Sequence, residues 1–287
     1  MKRLLVYLSP ERQCSLFDII VAYDAGADAV IPYSNIKIEE VRDIVYGCCF
    51  TRHPRDLKNT SVFVGGYSIE KAEELASEAL KVLNELPAEF KVNIALDPNG
   101  AYTTASACVA KIASAINLEG LNATVLAGTG PVGVSISRLL VGLGMKVRVT
   151  SRRLDRAEEV AKSISGKASG FQVDTPAKVA ESVKDADVVV SAGPPGVELM
   201  SESVWKSNPR IKILADVNAV PPYGIQGVKP KNDGSVQEEK KCFGALTIGS
   251  LKMMLHQNMI KQMFNQRDLF FNLERIHRLH ENSLSEQ

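Results

Sequence analysis

The chemistry of this chain is easiest to infer from a glycine-rich turn near its middle. Gly128-Thr129-Gly130-Pro131-Val132-Gly133 has the spacing G-x-G-x-x-G and directly follows the apolar run Ala123–Ala127. An apolar stretch at helical spacing comes next, so the pattern predicts strand, tight turn and helix. Such a turn lets the backbone approach a pyrophosphate, and the free amides of the helix N-terminus favour the anion. The motif predicts a dinucleotide site; a plain turn with packing glycines is the alternative.

The end of the next predicted strand distinguishes between the two nicotinamide cofactors. An NAD site usually carries Asp or Glu there, to bind the ribose 2′-hydroxyl. This chain instead has Ser151-Arg152-Arg153, and its first carboxylate is Asp155. Guanidinium and hydroxyl groups bind a 2′-phosphate, which an acid would repel. These residues favour NADP, with NAD possible. The alternative is that both arginines are only solvated at the start of a helix and bind no phosphate.

Two later loops follow apolar strands and are rich in Gly and Pro. They are Ser191–Gly196 and Asp216–Pro222. In parallel α/β sheets the cofactor and the substrate meet at the carboxyl ends of strands. We therefore predict that Ala192, Gly193, Pro194 and Asn218 contact the cofactor, although the same loops could be plain turns.

Strand-like and helix-like segments alternate along both halves of the chain, which predicts an α/β fold with parallel sheets. The length of 287 residues favours two domains. We place an N-terminal α/β domain at residues 1–118 and a Rossmann-type dinucleotide domain at 119–249. Two closing helices, Ser250–Phe264 and Leu269–His280, are expected to pack back on the first domain. The polar stretch Lys229–Lys241 is predicted to be an exposed loop.

Bulk composition excludes several classes of protein. Lys and Arg total 34 against 33 acids, so no net field attracts nucleic acid or an anionic membrane. No apolar run approaches the length of a membrane span, and the short apolar N-terminus predicts a strand rather than a signal peptide. We expect a cytoplasmic protein. The five cysteines form no Cys-x-x-Cys pair, so reduced thiols and no metal site are expected.

Several segments, taken together, resemble the bacterial NAD(P)-dependent methylene-tetrahydromethanopterin dehydrogenases. The segments that carry the resemblance occur in the family's order and cover nearly the whole chain. They are Phe17-Asp18, Asp24-Ala25-Gly26, Ile31-Pro32-Tyr33, Phe63-Val64-Gly65-Gly66, Asp97-Pro98-Asn99-Gly100 with Thr103-Thr104, Gly128–Gly133, Ser191–Gly196, Asp216–Pro222, Gly244-Ala245-Leu246 and Gly249-Ser250-Leu251-Lys252.

The resemblance implies an N-terminal pterin-binding domain, a C-terminal Rossmann domain and a homo-oligomer, trimeric or hexameric. The implied reaction moves a hydride from methylene-tetrahydromethanopterin to NADP+ in one-carbon (formaldehyde) oxidation. The residues expected to bind the pterin are Asp18, Tyr33, Asp97, Asn99, Thr103 and Lys252. Asp97 and Lys252 are the expected catalytic groups. Asp97 could favour the developing cation, and Lys252 could position the substrate; a helix cap at Thr103 and a merely exposed Lys252 are the alternatives.

The implied reaction requires no general acid or base. Hydride loss leaves a methenyl cation delocalised over two ring nitrogens, and no proton moves. The sequence accordingly contains no Ser/His/Asp or Cys/His constellation, so catalysis by positioning is expected. Three alternatives remain at this point. They are a methylene-tetrahydrofolate dehydrogenase of the same fold, a non-catalytic NADP-binding redox sensor, and a shikimate- or glutamate-type dehydrogenase with a proton-transferring Lys/Asp pair.

Overall fold

A computed structural model describes residues 1–284 of the chain. The twelve strands are β1 (Leu4–Leu8), β2 (Ala29–Tyr33), β3 (Thr60–Val64), β4 (Asn93–Leu96), β5 (Asn122–Leu126), β6 (Lys146–Ser151), β7 (Ala168–Gln172), β8 (Val188–Ser191), β9 (Ile213–Asp216), β10 (Asp233–Gln237), β11 (Lys240–Phe243) and β12 (Phe270–Phe271). The ten α-helices are α1 (Leu16–Asp24), α2 (Val41–Phe50), α3 (Ile69–Asn84), α4 (Ala101–Ala113), α5 (Pro131–Gly142), α6 (Leu154–Ile164), α7 (Pro176–Ser182), α8 (Glu202–Lys206), α9 (Ala245–Asn265) and α10 (Leu273–Leu284).

The chain divides into two compact units. The first comprises Met1–Thr103 and Met253–Gln287, and the second comprises Thr104–Lys252. The division therefore falls inside α4 and α9, whereas the sequence analysis placed the junction between α4 and β5. The part of α9 from Met253 onward and the helix α10 belong to the first unit.

The first unit is built on a five-stranded parallel sheet with the order β12-β4-β3-β1-β2. Strands β3 and β4 are buried at every position, whereas β2 lies at the edge and is exposed over its last three residues. Ser15 caps α1 by accepting a hydrogen bond from the Asp18 amide, and Ser68 caps α3 in the same way from the Lys71 amide. A serine hydroxyl therefore satisfies one free amide at the start of each helix.

The second unit is built on a seven-stranded sheet with the order β10-β11-β9-β8-β5-β6-β7. All of its neighbouring strands are parallel except β10, which is antiparallel to β11. The strand before the glycine-rich turn, β5, lies inside the sheet between β8 and β6, as predicted. One face is closed by an apolar cluster around Trp205, whose indole N–H donates to the Gln226 carbonyl at 2.8 Å. The α/β fold with two parallel-sheet domains is confirmed.

The prediction of an exposed loop over Lys229–Lys241 is wrong. The hairpin of β10 and β11 occupies this stretch and extends the sheet. Its turn residues, Glu238 and Glu239, both have positive φ, 45° and 64°. A two-residue hairpin turn of this kind usually carries Asn-Gly or Asp-Gly, and neither pair marks this hairpin.

The bounds of the closing helices shift by a few residues. The helix predicted over Ser250–Phe264 spans Ala245–Asn265. The residues near 269 form the short strand β12, which is too short to show a period, before α10 begins at Leu273. Among residues 1–284, no helix is both long and apolar enough to cross a membrane. In the same range no group of three or more His, Cys, Asp or Glu side chains is placed to hold a metal ion.

Candidate active site

The glycine-rich turn of the second unit joins β5 to α5 with very close backbone packing. A Cβ atom on Gly133 would lie 2.6 Å from the Gly128 Cα atom, so only glycine fits there. A Cβ atom on Gly128 would lie 2.9 Å from the Val125 carbonyl oxygen. A Cβ atom on Gly130, in contrast, would meet nothing within 4 Å. Gly128 and Gly133 therefore serve the fold, whereas Gly130 leaves open space above the helix N-terminus.

This N-terminus has unsatisfied donors that suit an anion. Gly130 is the N-cap residue and supplies no side-chain cap, and Pro131 has no amide hydrogen. The first amide of the regular helical ladder is that of Val134, which donates to the Gly130 carbonyl at 2.9 Å. The amides of Val132 and Gly133 precede that ladder and point out of the helix end. Together with the helix dipole, they can hold a pyrophosphate over the space left by Gly130.

The three polar residues at the end of β6 and directly after it, Ser151, Arg152 and Arg153, have different roles. Arg153 is the N-cap residue of α6 and forms an ion pair with Asp155, to which its Nε donates at 3.1 Å. The Ser151 hydroxyl accepts a hydrogen bond from the Arg153 amide at 3.3 Å. The Arg152 side chain is exposed and has no hydrogen-bond or ion-pair partner among residues 1–284. Arg152 therefore presents a free guanidinium at the end of β6, and Arg153 neutralises the nearest acid.

The two later loops are held by their own hydrogen bonds. The Asn218 side chain accepts from the Val220 amide at 2.9 Å and donates to the Pro222 carbonyl at 3.2 Å. The buried Asp216 carboxylate accepts from the amides of Asn218 and Ile225, at 3.0 and 2.8 Å. Burial raises the pKa of Asp216 above its usual range. The Asn218 side chain thus orders its loop, and a contact with the cofactor stays a prediction for it, as it does for Ala192, Gly193 and Pro194.

Two residues that hold this pair of loops, Asp216 and Gly224, were not selected as site residues from the sequence. A Cβ atom on Gly224 would lie 1.9 Å from the Ser191 Oγ atom and 2.9 Å from the Asp216 Oδ1 atom. Gly224 therefore lets the chain pass close to the ends of β8 and β9. Asp216 could have been selected from the sequence, because it is a single Asp at the end of an apolar strand, directly before a Pro-rich loop.

In the first unit, the carboxyl ends of the parallel strands form one edge. The amide of Asp97 donates to the Val64 carbonyl at 3.1 Å, and the amide of Ser9 donates to the Tyr33 carbonyl at 2.9 Å. Strands β4 and β2 are three positions apart in the sheet, so Asp97 and Tyr33 lie about 14 Å from each other along this edge.

Asp97 is fully buried and holds the start of α4. Its Oδ1 atom accepts from the amides of Tyr102 and Thr103, at 2.8 and 3.1 Å. Its Oδ2 atom accepts from the Thr103 hydroxyl at 2.7 Å. Asn99, between them in the chain, has a positive φ of 54° and an exposed side chain. The structure thus brings Asp97, Asn99 and Thr103 together, with Thr103 as a partner of Asp97 rather than a helix cap.

Asp18 belongs to a second cluster in this unit. Its Oδ2 atom accepts a hydrogen bond from the buried Tyr7 hydroxyl at 2.8 Å, and burial is the main cause that raises the pKa of Tyr7. A Cβ atom on Gly65 would lie 2.3 Å from that hydroxyl, which explains the glycine at the end of β3. Neither Tyr7 nor Gly65 was selected as a site residue from the sequence. Lys252, the remaining predicted residue, is half-buried in α9 and belongs to the second unit.

Comparisons with known proteins identify both parts of the chain. Residues 16–99 match the family model of the N-terminal domain of methylene-tetrahydromethanopterin dehydrogenase. Residues 99–201 match the C-terminal domain model of alanine dehydrogenase and PNT.

Two curated relatives come from Methylorubrum extorquens. The "Bifunctional protein MdtA" is 37% identical, over 97% of this chain and 98% of its own length. An "NAD(P)-dependent methylenetetrahydromethanopterin dehydrogenase" is 29% identical, over 93% of each chain. A chorismate mutase/shikimate 5-dehydrogenase fusion protein from Clostridium acetobutylicum shares the fold, with a TM-score of 0.52 and 12% identity over 99% of each chain. From these matches we conclude that the chain belongs to the methylene-tetrahydromethanopterin dehydrogenase family and is an oxidoreductase with an NAD(P)-binding domain.

Proposed function

We propose that this protein oxidises methylene-tetrahydromethanopterin to methenyl-tetrahydromethanopterin and delivers the hydride to NADP+. The observation that carries the choice of cofactor is the free guanidinium of Arg152 at the end of β6, beside an Asp155 that Arg153 already neutralises. The choice of substrate is supported by the family match over residues 16–99 and by the polar carboxyl edge of the first sheet.

The residues of the second unit fit a dinucleotide. The space above Gly130 accepts a pyrophosphate, and the amides of Val132 and Gly133 supply donors for it. Arg152 would form a charged hydrogen bond with the 2′-phosphate, and the Ser151 hydroxyl lies next to it in the chain. When bound, the nicotinamide ring supplies the hydride acceptor.

The residues of the first unit bind and orient the pterin in this proposal. The reacting carbon lies between two nitrogens, which share the positive charge once the hydride has left. No residue has to take or give a proton, so the protein acts by positioning and by electrostatics. Asp97 contributes a negative charge beside the forming cation, and its three hydrogen bonds keep it from turning toward other groups. Asp18, Tyr33, Asn99 and Thr103 hold the substrate in place.

One relative is named "Bifunctional protein MdtA", which favours testing a second pterin. Methylene-tetrahydrofolate carries the same reacting imidazolidine ring, so its oxidation is the second candidate function. Initial rates of the purified protein should be measured with the two methylene pterins, each against NADP+ and NAD+. We expect the highest kcat/KM with methylene-tetrahydromethanopterin and NADP+. A higher kcat/KM with the folate would reverse the substrate assignment, and no turnover with either pterin would refute dehydrogenase activity.

A further inference from the structure

A groove of about 300 Å³ lies on one face of the second sheet, at the amino ends of β5, β6 and β7. The glycine-rich turn follows the carboxyl end of β5, so it belongs to the opposite edge of the same sheet. The charged residues that line the groove are three cations and one acid, and hydroxyl and amide side chains lie among them. The polar lining residues include Lys146, Arg148, Lys167, Asp185, Ser169 and Asn122. We call this the amino-edge groove.

The short helix α7 leaves this face of the sheet open. The opposite face is covered by α6, which packs so closely that a Cβ atom on Gly170 would lie 2.5 Å from a backbone nitrogen of that helix. Side chains alternate along a strand, so Ser169 points away from α6, as does its register partner Arg148. On that side α7 has only seven residues, and the carbonyl of the last one, Ser182, accepts from the Thr124 hydroxyl and from Arg148, at 2.8 and 2.6 Å. The amino-edge groove is the uncovered part of the face beyond this helix end.

Two lysines lie side by side in the amino-edge groove. In the parallel register of β6 and β7, Val147 pairs with Ala168, and the Val147 amide donates to the Lys167 carbonyl at 3.0 Å. Lys146 and Lys167 are therefore neighbours at the starts of the two strands, with their Cα atoms roughly 5 Å apart. Like charges at neighbouring positions of a sheet destabilise it. An anion bound between the two ammonium groups would remove this repulsion.

The acid of the groove does not neutralise these amines. Asp185 is paired with Arg148, whose Nη1 and Nη2 atoms donate to the two carboxylate oxygens at 2.6 and 3.3 Å. The guanidinium of Arg148 lowers the pKa of Asp185, so this acid stays ionised and paired. The side chains of Lys146 and Lys167 have no hydrogen-bond or ion-pair partner among residues 1–284. The groove thus holds two uncompensated positive charges, in a chain whose net charge is only +1.

We propose that the amino-edge groove binds a small molecule that carries a phosphate group. A phosphate dianion matches the two ammonium groups in charge, and its oxygens accept hydrogen bonds from both. The Ser169 hydroxyl lines the same groove and supplies a further donor. The volume of the groove lies at the low end of the range for ligand pockets, which suits a small metabolite. Nucleic acid would need several phosphate contacts along a strand, and two charges are too few for that.

Titration calorimetry with inorganic phosphate tests the site at pH 8, where phosphate is largely a dianion. The protein is first saturated with NADP+, so that the helix N-terminus after Gly130 is occupied. We expect phosphate to bind with a Kd of about 1 mM or lower at low ionic strength, because two charged hydrogen bonds are enough for that affinity. Phosphate should also raise the melting temperature. Absence of both effects at roughly 10 mM phosphate would overturn the proposal.

Substitutions of the two lysines locate the bound phosphate. Lys146→Gln and Lys167→Gln each remove one ammonium group and should raise the Kd for phosphate about ten- to hundredfold. Both side chains are exposed, so the variants should fold, which circular dichroism checks. Lys162→Gln is the matched control and should leave the Kd unchanged, because Lys162 is exposed on α6 and lies outside the groove. An unchanged Kd in both groove variants, or an equal loss of affinity in Lys162→Gln, would show that the amino-edge groove is not the phosphate site.

Succinate distinguishes a phosphate site from a site for any small dianion. It has the same charge, but its two carboxylates stand at the ends of a chain, whereas phosphate presents its acceptor oxygens around one atom. Two neighbouring ammonium groups fit the compact anion better. We therefore expect the Kd for succinate to be at least tenfold higher than that for phosphate. Equal affinities for the two anions would overturn the assignment of a phosphate group.

Discussion

The different environments of Arg152 and Arg153 lead to a prediction about cofactor choice. The Arg152 side chain has no partner among residues 1–284, whereas the Arg153 side chain is already paired with Asp155. Arg152→Gln should remove the group that binds a 2′-phosphate. Arg153→Gln is the matched control, because it removes a neighbouring charge of the same kind that already has a partner.

The magnitude follows from one charged hydrogen bond. Such a bond contributes roughly 1.5–3 kcal/mol, which corresponds to about a ten- to hundredfold change in affinity. We therefore expect Arg152→Gln to raise the Michaelis constant for NADP+ by this factor and to leave that for NAD+ within about twofold. Arg152→Asp should have a larger effect, because an acid repels the phosphate and can accept the ribose hydroxyl of NAD+.

The assay is initial-rate kinetics with saturating methylene-tetrahydromethanopterin and each nicotinamide cofactor in turn. The contribution of a 2′-phosphate also depends on ionic strength, so the difference between the wild type and Arg152→Gln should shrink in high salt. The reasoning is refuted if the NADP+ Michaelis constant is unchanged in Arg152→Gln, or if Arg153→Gln raises it as strongly. Equal losses for NADP+ and NAD+ would also refute it, because NAD+ has no 2′-phosphate.

Three further predictions concern the glycine-rich turn, Asp97 and the thiols. Gly130→Ala should fold with an unchanged melting temperature, yet bind the dinucleotide at least tenfold more weakly in titration calorimetry. Gly133→Ala should lower the free energy of unfolding in urea by about 1–3 kcal/mol, because its Cβ atom would overlap the Gly128 backbone. Equal stability of the two variants would contradict this reading of the turn. Asp97→Asn should keep the fold, since the Thr103 hydroxyl can accept from the new amide and donate to the Gly100 carbonyl 3.3 Å away, but it should lower kcat about a hundredfold. Asp97→Ala should also lose about 1–2 kcal/mol of stability with the cap, and full activity in Asp97→Asn would exclude an electrostatic role. Burial raises the pKa of the Cys48 and Cys108 thiols to about 12 and that of Cys14, Cys49 and Cys242 to about 11. Ellman's reagent at pH 8 should therefore label the four buried thiols, Cys48, Cys49, Cys108 and Cys242, at least a hundredfold more slowly in the native protein than in the unfolded chain, and rapid labelling of more than one native thiol would disprove their burial.

The sequence predicts most of the fold because its local signals agree with the tertiary structure. Ser15 and Ser68 precede α1 and α3 and cap them, and the apolar run before Gly128 forms an internal strand. The predictions fail where local chemistry is unusual. Glu238 and Glu239 form a tight turn with positive φ without a glycine, and β12 pairs with β4 over only two residues. The pairing of β12 with β4 joins residues far apart in the sequence, and the hairpin turn lacks the residues that usually mark one.

The candidate site is predictable in part for the same reason. The glycine spacing reports a backbone requirement, which the close approach of Gly133 to Gly128 displays directly. The sequence does not show that the Arg153 side chain is paired and the Arg152 side chain is not, because two adjacent arginines differ only in the contacts that the fold gives them. Tyr7 was not predicted as a site residue because a tyrosine in a buried strand is typical of a hydrophobic core. Its hydrogen bond to Asp18 joins residues 11 positions apart in the chain.

Direct transfer of the hydride from the methylene carbon is the central claim, and isotopic labelling tests it most directly. Methylene-tetrahydromethanopterin with deuterium in both positions on the methylene carbon should be followed through a single turnover with NADP+ in ordinary water, over a range of neutral pH. We predict that each reduced cofactor carries one deuterium from the substrate, with a primary isotope effect and a rate that does not vary with pH. Hydrogen from solvent in the reduced cofactor, or a bell-shaped pH profile for this step, would contradict the account.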